Sequence, residues 1–333
     1  MSASVFTRAR KHRSKRNVIM KIIYGINKIK KFAKPVVAMG VFDGLHRGHI
    51  MILKSAAKTA HYNNGTSVVV TFHPHPRRQE SLYSLEHRLR LIASCGIDVC
   101  IVINFSRHFS AISPRDFIKN ILLDKLGAQY VYVGKNFRFG KNASGDCHLL
   151  NQLAKEFNFK VKLFPVSQIH DRPISSTAIR SLIKAGDLEH AEKLLTRPVS
   201  VLGTVVRGVS LGRELGFPTA NINPHHEVLP PAGIYIVKIL LDDKEMHGLC
   251  YIGSRPTFEG RRQKNIEVYI FNFNKNIYGK YLEVQFIKKI RADKKFPSSE
   301  ALIKQIKKDV IIAQKGVSLH RAHTTTRRHK PSN

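Results

Sequence analysis

The chain has 333 residues, of which 56 are lysine or arginine and 23 are acidic, so its formal net charge is +33. A hydrophobic fraction of 43% excludes an intrinsically disordered chain, and no apolar run is long enough to predict a membrane span. At this length we expect two domains, each with its own core. The four cysteines form no Cys-Xaa-Xaa-Cys pair, which predicts reduced thiols in a cytoplasmic protein rather than a disulfide or zinc framework.

The positive charge is concentrated at the two ends of the chain. Residues 1–34 contain eleven lysines and arginines and no acidic residue, and residues 315–333 contain five and none. We expect residues 1–19 to be a disordered basic extension and residues 315–333 a disordered basic tail. Such tails are usually solvated and bind polyanions without specificity. The two tails carry +16 of the net charge, and the +17 that remains on the body of the chain suits a protein whose ligands are polyphosphates. Specific nucleic-acid binding is not expected.

A predicted strand, a glycine-rich turn and a predicted helix follow one another early in the chain. The apolar run 35–39 precedes Gly-Val-Phe-Asp-Gly-Leu-His-Arg-Gly-His at residues 40–49, and residues 50–60 have helical apolar spacing. Such a turn presents backbone N–H groups and a helix N-terminus to an anion. His46 and His49 can donate hydrogen bonds to charge on a transferred phosphoryl group. The alternatives are two polar surface residues or a chance metal pair.

Two more loops follow predicted strands. Strand 67–72 ends in His-Pro-His-Pro-Arg, and strand 130–133 is followed by Gly-Lys-Asn-Phe-Arg-Phe-Gly at residues 134–140. A strand over 98–104 and helices over 85–93 and 114–126 complete an alternation that is typical of a parallel sheet. Ligands bind at the carboxyl edge of such a sheet, where both loops are expected. The alternatives are a turn stiffened by proline and aromatic residues that merely close a loop.

A cluster of hydroxyl residues follows the predicted strand 160–164. Ser175, Ser176 and Thr177 open a helix, and Arg180 lies one turn further along it. Hydroxyl groups and free N–H groups at a helix start can hold phosphate, and an arginine adds charge. The alternative is a simple helix N-cap.

The second half of the chain has a different pattern of predicted secondary structure. Short strands are predicted over residues 199–206, 234–241, 248–252, 266–273 and 282–290, before a helix over 298–312. The absence of long helices between them favours an antiparallel barrel or sandwich. We place the first domain at residues 20–185 and the second at residues 186–314.

A glycine-rich stretch in the second domain carries hard oxygen ligands. Residues 203–213 hold several glycines suited to phosphate binding, and Thr219 and Asn221 offer oxygen atoms to Mg²⁺. Glu267 alternates with apolar neighbours and points to the opposite face of its strand. The alternatives are a tight β-corner and a glutamate that faces solvent.

These motifs carry two family resemblances. The residue 40–49 motif resembles the FAD synthetase branch of the adenylyl/cytidylyltransferase superfamily, and the next three motifs match its pattern in order. Gly-Phe-Pro-Thr-Ala-Asn at residues 216–221, with residues 251–258 and 266–269, resembles riboflavin kinase. Together the two resemblances cover residues 20–312. Over this range the chain resembles the bacterial bifunctional riboflavin kinase/FMN adenylyltransferase family.

The resemblance implies a Rossmann-like nucleotidyltransferase domain with a parallel sheet, and an antiparallel riboflavin kinase-like barrel with a terminal helix. It implies riboflavin, FMN, FAD and ATP as ligands, with ATP the co-substrate and Mg²⁺ the cofactor. The implied catalytic residues are His46, His49, Arg180 and Glu267. ATP or phosphate would be bound by Gly40, Phe42, Asp43, Gly44, Ser176, Thr177, Gly208, Gly212 and Arg213. Flavin would be bound by His75, Pro76, Asn136, Phe137, Arg138 and Arg291, and the metal by Thr219 and Asn221.

Two positions depart from the family pattern. Asn276 stands where the family has an aspartate before Leu-Tyr-Gly, and Asp293 stands where it has a glutamate. Both positions are on the flavin side, so they put flavin affinity in question rather than the chemistry. The alternatives are another nucleotidyltransferase fused to an unrelated β domain, or a basic nucleic-acid-binding protein built on an inactive enzyme. The oligomeric state is left open.

Overall fold

A computed structural model describes residues 19–76, 80–169, 172–208, 211–242, 244–256 and 262–328. Contacts between residues divide the chain into two compact units. The first unit consists of Met1–Ile179 and Leu194–Thr196, and the second consists of Arg180–Lys193 and Arg197–Asn333. The predicted domain bounds therefore stay a prediction. Over the described residues, no helix is long and apolar enough to cross a membrane. The predicted extension lies outside these residues except for Ile19.

The first unit contains the predicted parallel sheet. Its six strands are β1 (Lys21–Tyr24), β2 (Val36–Met39), β3 (Ser67–His73), β4 (Val99–Asn104), β5 (Tyr130–Gly134) and β6 (Lys160–Phe164). Their order is β1-β4-β3-β2-β5-β6 and every pairing is parallel. The four inner strands are rich in β-branched residues and almost fully buried, as expected for a sheet covered on both faces, whereas the edge strands β1 and β6 are partly exposed.

Helices cover both faces of this sheet. They are α1 (Arg47–Tyr62), α2 (Leu85–Ser94), α3 (Arg107–Ser110), α4 (Pro114–Asp116) and α5 (Cys147–Glu156). Alternate residues of β2 enter different cores, since side chains along a strand point to opposite faces. Val36 packs with residues of α1 and α2, whereas Val37 packs with residues of α5. The parallel sheet is thus fixed between two apolar layers.

The helix predicted over residues 114–126 is present, but most of it is π-helical rather than α-helical. A short α-helical turn, α4, is capped by Ser113, and the π-helical segment Phe117–Lys125 continues it. The wider turn still buries Phe117, Ile118, Ile121 and Leu122 in the core, which explains why the apolar spacing suggested one regular helix. Short 3-10 turns lie at Ile26–Lys28 and Lys141–Ala143, and a small hairpin pairs β7 (Gln168–Ile169) with β8 (Arg172–Pro173).

The chain passes between the units through α6 (Ser176–Ala185) and α7 (Leu188–Leu195). The second unit is then a closed barrel with order β10-β13-β12-β11-β14-β9, and every pairing between adjacent named strands is antiparallel. Its strands are β9 (Ser200–Val206), β10 (Thr219–Asn223), β11 (Gly233–Leu241), β12 (Lys244–Pro256), β13 (Arg262–Ile270) and β14 (Tyr281–Arg291). The short helix α8 (Leu211–Glu214) precedes β10.

The barrel resolves the choice between barrel and sandwich and adds a strand that the sequence did not predict. β10 pairs with both β9 and β13 and so closes the barrel. Its sequence, Thr-Ala-Asn-Ile-Asn, contains few residues that favour strands, and long-range pairing overrides that preference. Gly203 lets the backbones of β9 and β10 approach, because a Cβ there would lie 2.3 Å from the Asn223 carbonyl oxygen.

The terminal helix α9 (Ser299–Arg328) runs beyond its predicted end at residue 312. Ala313 and Val317 are buried against Ile236 and Leu249 of the barrel, so packing continues the helix through residues predicted to begin a disordered tail. Gly316 allows this close contact, since a Cβ there would lie 2.6 Å from Ile236 Cδ1. The tail prediction is therefore wrong for residues 315–328, and residues 329–333 lie outside the described part of the chain.

Candidate active sites

A cavity of about 670 Å³ opens at the carboxyl edge of the parallel sheet. It brings together all four motifs predicted for the first domain. The predicted residues that line it are Gly40, Phe42, Asp43, His46, His49, His75, Pro76, Asn136, Phe137, Arg138, Ser176 and Thr177. Arg180 lies one turn further along α6 than Ser176. Glycine loops, imidazoles, hydroxyl groups and aromatic rings thus surround one space.

The two histidines of the first motif form a stacked pair at the start of α1. Their ring centroids are 3.7 Å apart with an interplanar angle of 21°, and His46 occupies the N-cap position. Phe42 packs edge-on against His49, with centroids 5.4 Å apart. This packing fixes both imidazoles beside the positive end of a helix, where hydrogen-bond donors favour a phosphate.

The first loop has an unusual backbone. Phe42 and Leu45 adopt positive φ angles of 53° and 38°, and Gly44 has a φ of 79°. A Cβ on Gly44 would lie 2.5 Å from Leu82 Cδ1, so this position excludes a side chain. Gly44 thus shapes the loop, and the cavity wall beside it is formed by Gly40, Phe42 and Asp43.

Asp43 holds this loop to two other segments. Its Oδ1 accepts a hydrogen bond from the Leu82 backbone N–H at 2.8 Å, and its carbonyl oxygen accepts one from Ser176 Oγ at 2.7 Å. The residue is 3% exposed. Asp43 therefore links the glycine-rich loop to the start of α6, and its carboxylate supports the loop from behind.

Arg88 is a residue of this site that sequence reasoning missed. It is buried beneath the loop, and its guanidinium donates to the carbonyl oxygens of Val41 and Phe72. Burial lowers the pKa of Arg88, while the nearby Asp43 carboxylate raises it. The sequence does contain a signal that could have identified Arg88. This residue lies on the same helical face as Leu85 and Ile92, where an apolar residue is expected.

A second cavity, of about 350 Å³, lies in the barrel unit. The predicted residues that line it are Gly212, Thr219, Asn221, Glu267 and Arg291. The lining also contains aromatic and acidic residues that had no role assigned from the sequence, among them Phe217, Tyr251, Tyr269, Phe296 and Asp309. Flat apolar rings beside a few oxygen groups are typical of a site for a polar molecule with an aromatic ring system.

Glu267 faces this cavity, so the alternative of a solvent-facing glutamate is wrong. It lies opposite Asn221 in the pairing of β10 with β13. Thr219 Oγ1 donates to Glu267 Oε2 at 3.2 Å, and Asn265 Nδ2 donates to Glu267 Oε1 at 2.6 Å. Both carboxylate oxygens are therefore oriented by donors, and Asn265 is a second residue that the sequence did not identify.

Glycines make room for the oxygen ligands. A Cβ on Gly208 would lie 2.1 Å from Asn221 Nδ2, and a Cβ on Gly212 would lie 3.1 Å from Thr219 Oγ1. The glycine stretch thus packs directly against both predicted metal ligands. The Arg213 side chain and residues 257–258 of the predicted motif lie outside what the structure describes.

Arg291 is clamped by an acidic residue of the terminal helix. Its Nε and Nη2 donate to Asp309 Oδ2 at 3.0 and 2.8 Å, and the Asp309 side chain is 2% exposed. Asp293, one of the departures from the family pattern, accepts a hydrogen bond from the Tyr251 hydroxyl at 3.1 Å. The other departure, Asn276, accepts one from the Tyr278 backbone N–H and closes a local turn.

The fold and the two cavities define an enzyme that couples a nucleotidyltransferase unit to a barrel that carries a second phosphate-handling site. Two family models match the corresponding segments: FAD synthetase over residues 28–178 and riboflavin kinase over residues 195–317. The chain belongs to the bifunctional riboflavin kinase/FMN adenylyltransferase family. Both activities predicted from the motifs are thereby confirmed at the level of the family.

Named relatives cover nearly the whole chain. A bifunctional riboflavin kinase/FMN adenylyltransferase of Buchnera aphidicola (subsp. Schizaphis graminum) is 37% identical over 90% of this chain and 100% of its own length. The Escherichia coli K12 relative of the same name is 35% identical over 89% and 97%. A crystal structure described as a macrolide-efflux protein from Streptococcus pneumoniae is similar with a TM-score of 0.75 and 28% identity, covering 87% and 97%.

Proposed function

We propose that the barrel cavity phosphorylates riboflavin to FMN and that the sheet-edge cavity transfers AMP from ATP to FMN. One observation carries this assignment. Each loop predicted to bind ATP or flavin, where described, meets one of these two cavities, and the two chemistries fall in different units. The residue roles below follow from that division.

In the barrel, Glu267 is the general base. It takes the proton of the riboflavin 5′-hydroxyl as that oxygen forms a bond to the γ-phosphorus of ATP and the bond to ADP breaks. A primary alcohol is a very weak acid, so a nearby carboxylate that accepts its proton assists its attack. The hydrogen bonds from Thr219 and Asn265 point the carboxylate into the cavity before substrate arrives.

Thr219 and Asn221 suit a magnesium ion. Among the described residues, no group of three or more histidine, cysteine or acidic side chains is placed to hold a metal. Mg²⁺ in kinases usually binds few protein ligands, together with phosphate oxygens and water. Because Thr219 uses its hydrogen to bind Glu267, its oxygen lone pairs are available for a cation. The bound ion would neutralise charge on the phosphates.

In the sheet-edge cavity, an FMN phosphate oxygen attacks the α-phosphorus of ATP and the bond to pyrophosphate breaks. This nucleophile is already ionised, so the site needs position and charge stabilisation rather than a base. The stacked His46 and His49, the Thr177 hydroxyl and the first backbone N–H groups of α6 supply donors for the phosphates. The Ser176 hydroxyl instead donates to the Asp43 carbonyl and holds the glycine-rich loop against the start of α6. Arg180 would stabilise the leaving pyrophosphate.

The flavin side of this cavity is formed by two loops. His75 and Pro76 follow β3, and the loop after β5 contributes Asn136, Phe137 and Arg138. Phe137 stacks on the buried Phe139, with ring centroids 5.6 Å apart and an interplanar angle of 14°. A fixed aromatic face of this kind suits a planar isoalloxazine ring.

A cytoplasmic location is part of the proposal, supported by buried free thiols and by the use of ATP.

The experiment supplies purified protein with ATP, Mg²⁺ and riboflavin, and separates FMN from FAD by chromatography. His49→Ala should abolish FAD formation and leave FMN formation intact, whereas Glu267→Gln should stop FMN formation and leave FAD formation from added FMN. His61→Ala on the same helix and Glu245→Gln on the barrel are matched controls, because both side chains lie outside the two cavity walls. Equal loss of both products in either active-site variant would contradict the assignment.

A further inference from the structure

We infer that Arg88 is a positioning residue for adenylyl transfer, which sets the distance between the ATP loop and the flavin loop of the sheet-edge cavity. The inference rests on the proposed function of that cavity. Arg88 comes from α2, which contributes no residue to the cavity wall. Its effect on the reaction would therefore pass through the two loops that it holds.

The guanidinium bridges two backbone segments. Nη1 donates to the Val41 carbonyl at 2.6 Å, within the glycine-rich loop, and Nη2 donates to the Phe72 carbonyl at 3.2 Å. Phe72 directly precedes the His-Pro-His-Pro segment that carries His75 and Pro76. Thr71 completes the junction, since its hydroxyl donates to the same Val41 carbonyl at 3.0 Å. One planar cation thus joins the ends of two substrate loops.

The glycine-rich loop needs such support because its backbone is strained. Non-glycine residues with positive φ persist only where their surroundings hold them, and this loop contains Phe42 and Leu45 in that region. Arg88 is itself 3% exposed, and such a charge is kept in the interior by its hydrogen bonds and by the Asp43 carboxylate. The buried cation and the strained loop therefore depend on each other.

The relative position of these loops matters for the chemistry. Attack of a phosphate oxygen on the α-phosphorus requires the two atoms to be held about 3–3.5 Å apart and in line with the leaving group. ATP is assigned to the loop at residues 40–49 and FMN to the loop that contains His75. A lysine at position 88 would keep the charge but has a single ammonium group, which lacks the planar fork that spans both carbonyls.

The test compares Arg88→Lys with Arg90→Lys, a control on the same helix whose side chain pairs with Glu86 at 3.0 Å. We expect Arg88→Lys to lower kcat for FAD formation from FMN by about 10- to 100-fold, with KM for ATP and FMN changed less than threefold. The kcat of Arg90→Lys for FAD formation should match that of the wild type, and so should the kinase rate of both variants. A wild-type kcat in Arg88→Lys would overturn the inference.

Hydrogen–deuterium exchange separates positioning from general stabilisation. In Arg88→Lys, faster exchange should be confined to residues 40–46 and to His75, with α1 and β3 as protected as in the wild type. Thr71→Val, which removes one hydroxyl and leaves Arg88, should give the same pattern with a smaller loss of kcat. Faster exchange throughout α1 and α2 would overturn the inference, because it would make Arg88 an ordinary stabilising residue.

The His49→Ala experiment distinguishes the two possible failures. If His49→Ala retains FAD formation, the proposed function of the cavity is wrong and the inference falls with it. If His49→Ala loses FAD formation while Arg88→Lys keeps its kcat, only the role of Arg88 is wrong.

Discussion

Thr219 and Glu267 lie on the neighbouring strands β10 and β13, and the threonine hydroxyl donates a hydrogen bond to Glu267 Oε2 over 3.2 Å. The same oxygen atom that would bind the metal therefore holds the proposed base in place. Metal binding and base orientation are coupled by one side chain. Substitution of Thr219 or Glu267 should consequently alter both metal binding and base orientation. Substitution of Asn265 should alter base orientation alone, and substitution of Asn221 should alter metal binding alone.

Asn265→Ala should lower kcat of riboflavin phosphorylation by roughly tenfold, with little change in KM for riboflavin. The reason is that Asn265 orients Glu267 Oε1 at 2.6 Å but is not among the residues that line the cavity. Steady-state kinetics with riboflavin and ATP measures this effect. Asn274→Ala, at an exposed position of the same unit, is the control, and equal kcat values in both variants would contradict the role of Asn265.

Asn221→Ala should raise the Mg²⁺ concentration required for half-maximal kinase activity, on the order of tenfold, because the barrel cavity loses one of two proposed ligands. A metal titration of FMN formation measures it. FAD formation from FMN should keep its original metal dependence, and Asn223→Ala on the same strand should keep both. An unchanged titration of the kinase step would remove Asn221 from the ligand set.

Burial raises the pKa of the Cys100 thiol from 9.0 to about 12. Since the folded state holds this proton more tightly than the unfolded state, the stability contributed by the neutral thiol is complete below pH 9 and is lost as pH rises toward about 12. Between those values this group should make the free energy of unfolding of the wild type fall as the pH rises.

Cys100→Ala removes that dependence. Thermal unfolding measured from pH 8 to 11 should show a lower Tm for the variant at pH 8, because a buried sulfur is lost, and a shallower decline above pH 9. Parallel curves for the two proteins would show that Cys100 does not contribute to the alkaline loss of stability.

Asp309→Ala should destabilise the barrel unit by about 3–5 kcal/mol, since it leaves the mostly buried Arg291 without its carboxylate partner. Both residues line the barrel cavity to which we assign riboflavin phosphorylation, so FMN formation should fall as well. Urea unfolding and the kinase rate measure these effects. Asp242→Ala removes an exposed pair with Lys280 and should cost at most about 1 kcal/mol. Similar losses in both variants would contradict the clamp at Asp309.

The sequence could predict the strands and loops whose signals are local. The buried strands before residues 40 and 134 are β-branched and end at glycines, and the loops that follow them do meet at one sheet edge. The histidine and amide residues of those loops line one cavity, which is what the carboxyl edge of a parallel sheet leads us to expect, and their roles there stay a prediction. The alternation of short strands likewise predicted the barrel strands other than β10.

What the sequence could not predict depends on partners that are distant along the chain. Arg88 and Asn265 act through hydrogen bonds to residues whose positions are known only from the fold. β10 forms because two neighbouring strands pair with it, despite its weak strand preference. The full length of α9 depends on the burial of Val317 against the barrel. Each is a tertiary effect that local pattern does not contain.

The ion pair between Arg291 and Asp309 also bears on synthesis of the protein in the cell. The parallel sheet is complete once Phe164 has left the ribosome, whereas the acidic half of the clamp belongs to the last helix. Domains generally fold from the N-terminus as the chain emerges. A polypeptide that ends before Asp309 would thus contain the complete parallel sheet but lack the acidic partner of Arg291 in the barrel cavity. Premature termination should therefore impair the proposed phosphorylation of riboflavin and spare the proposed adenylyl transfer.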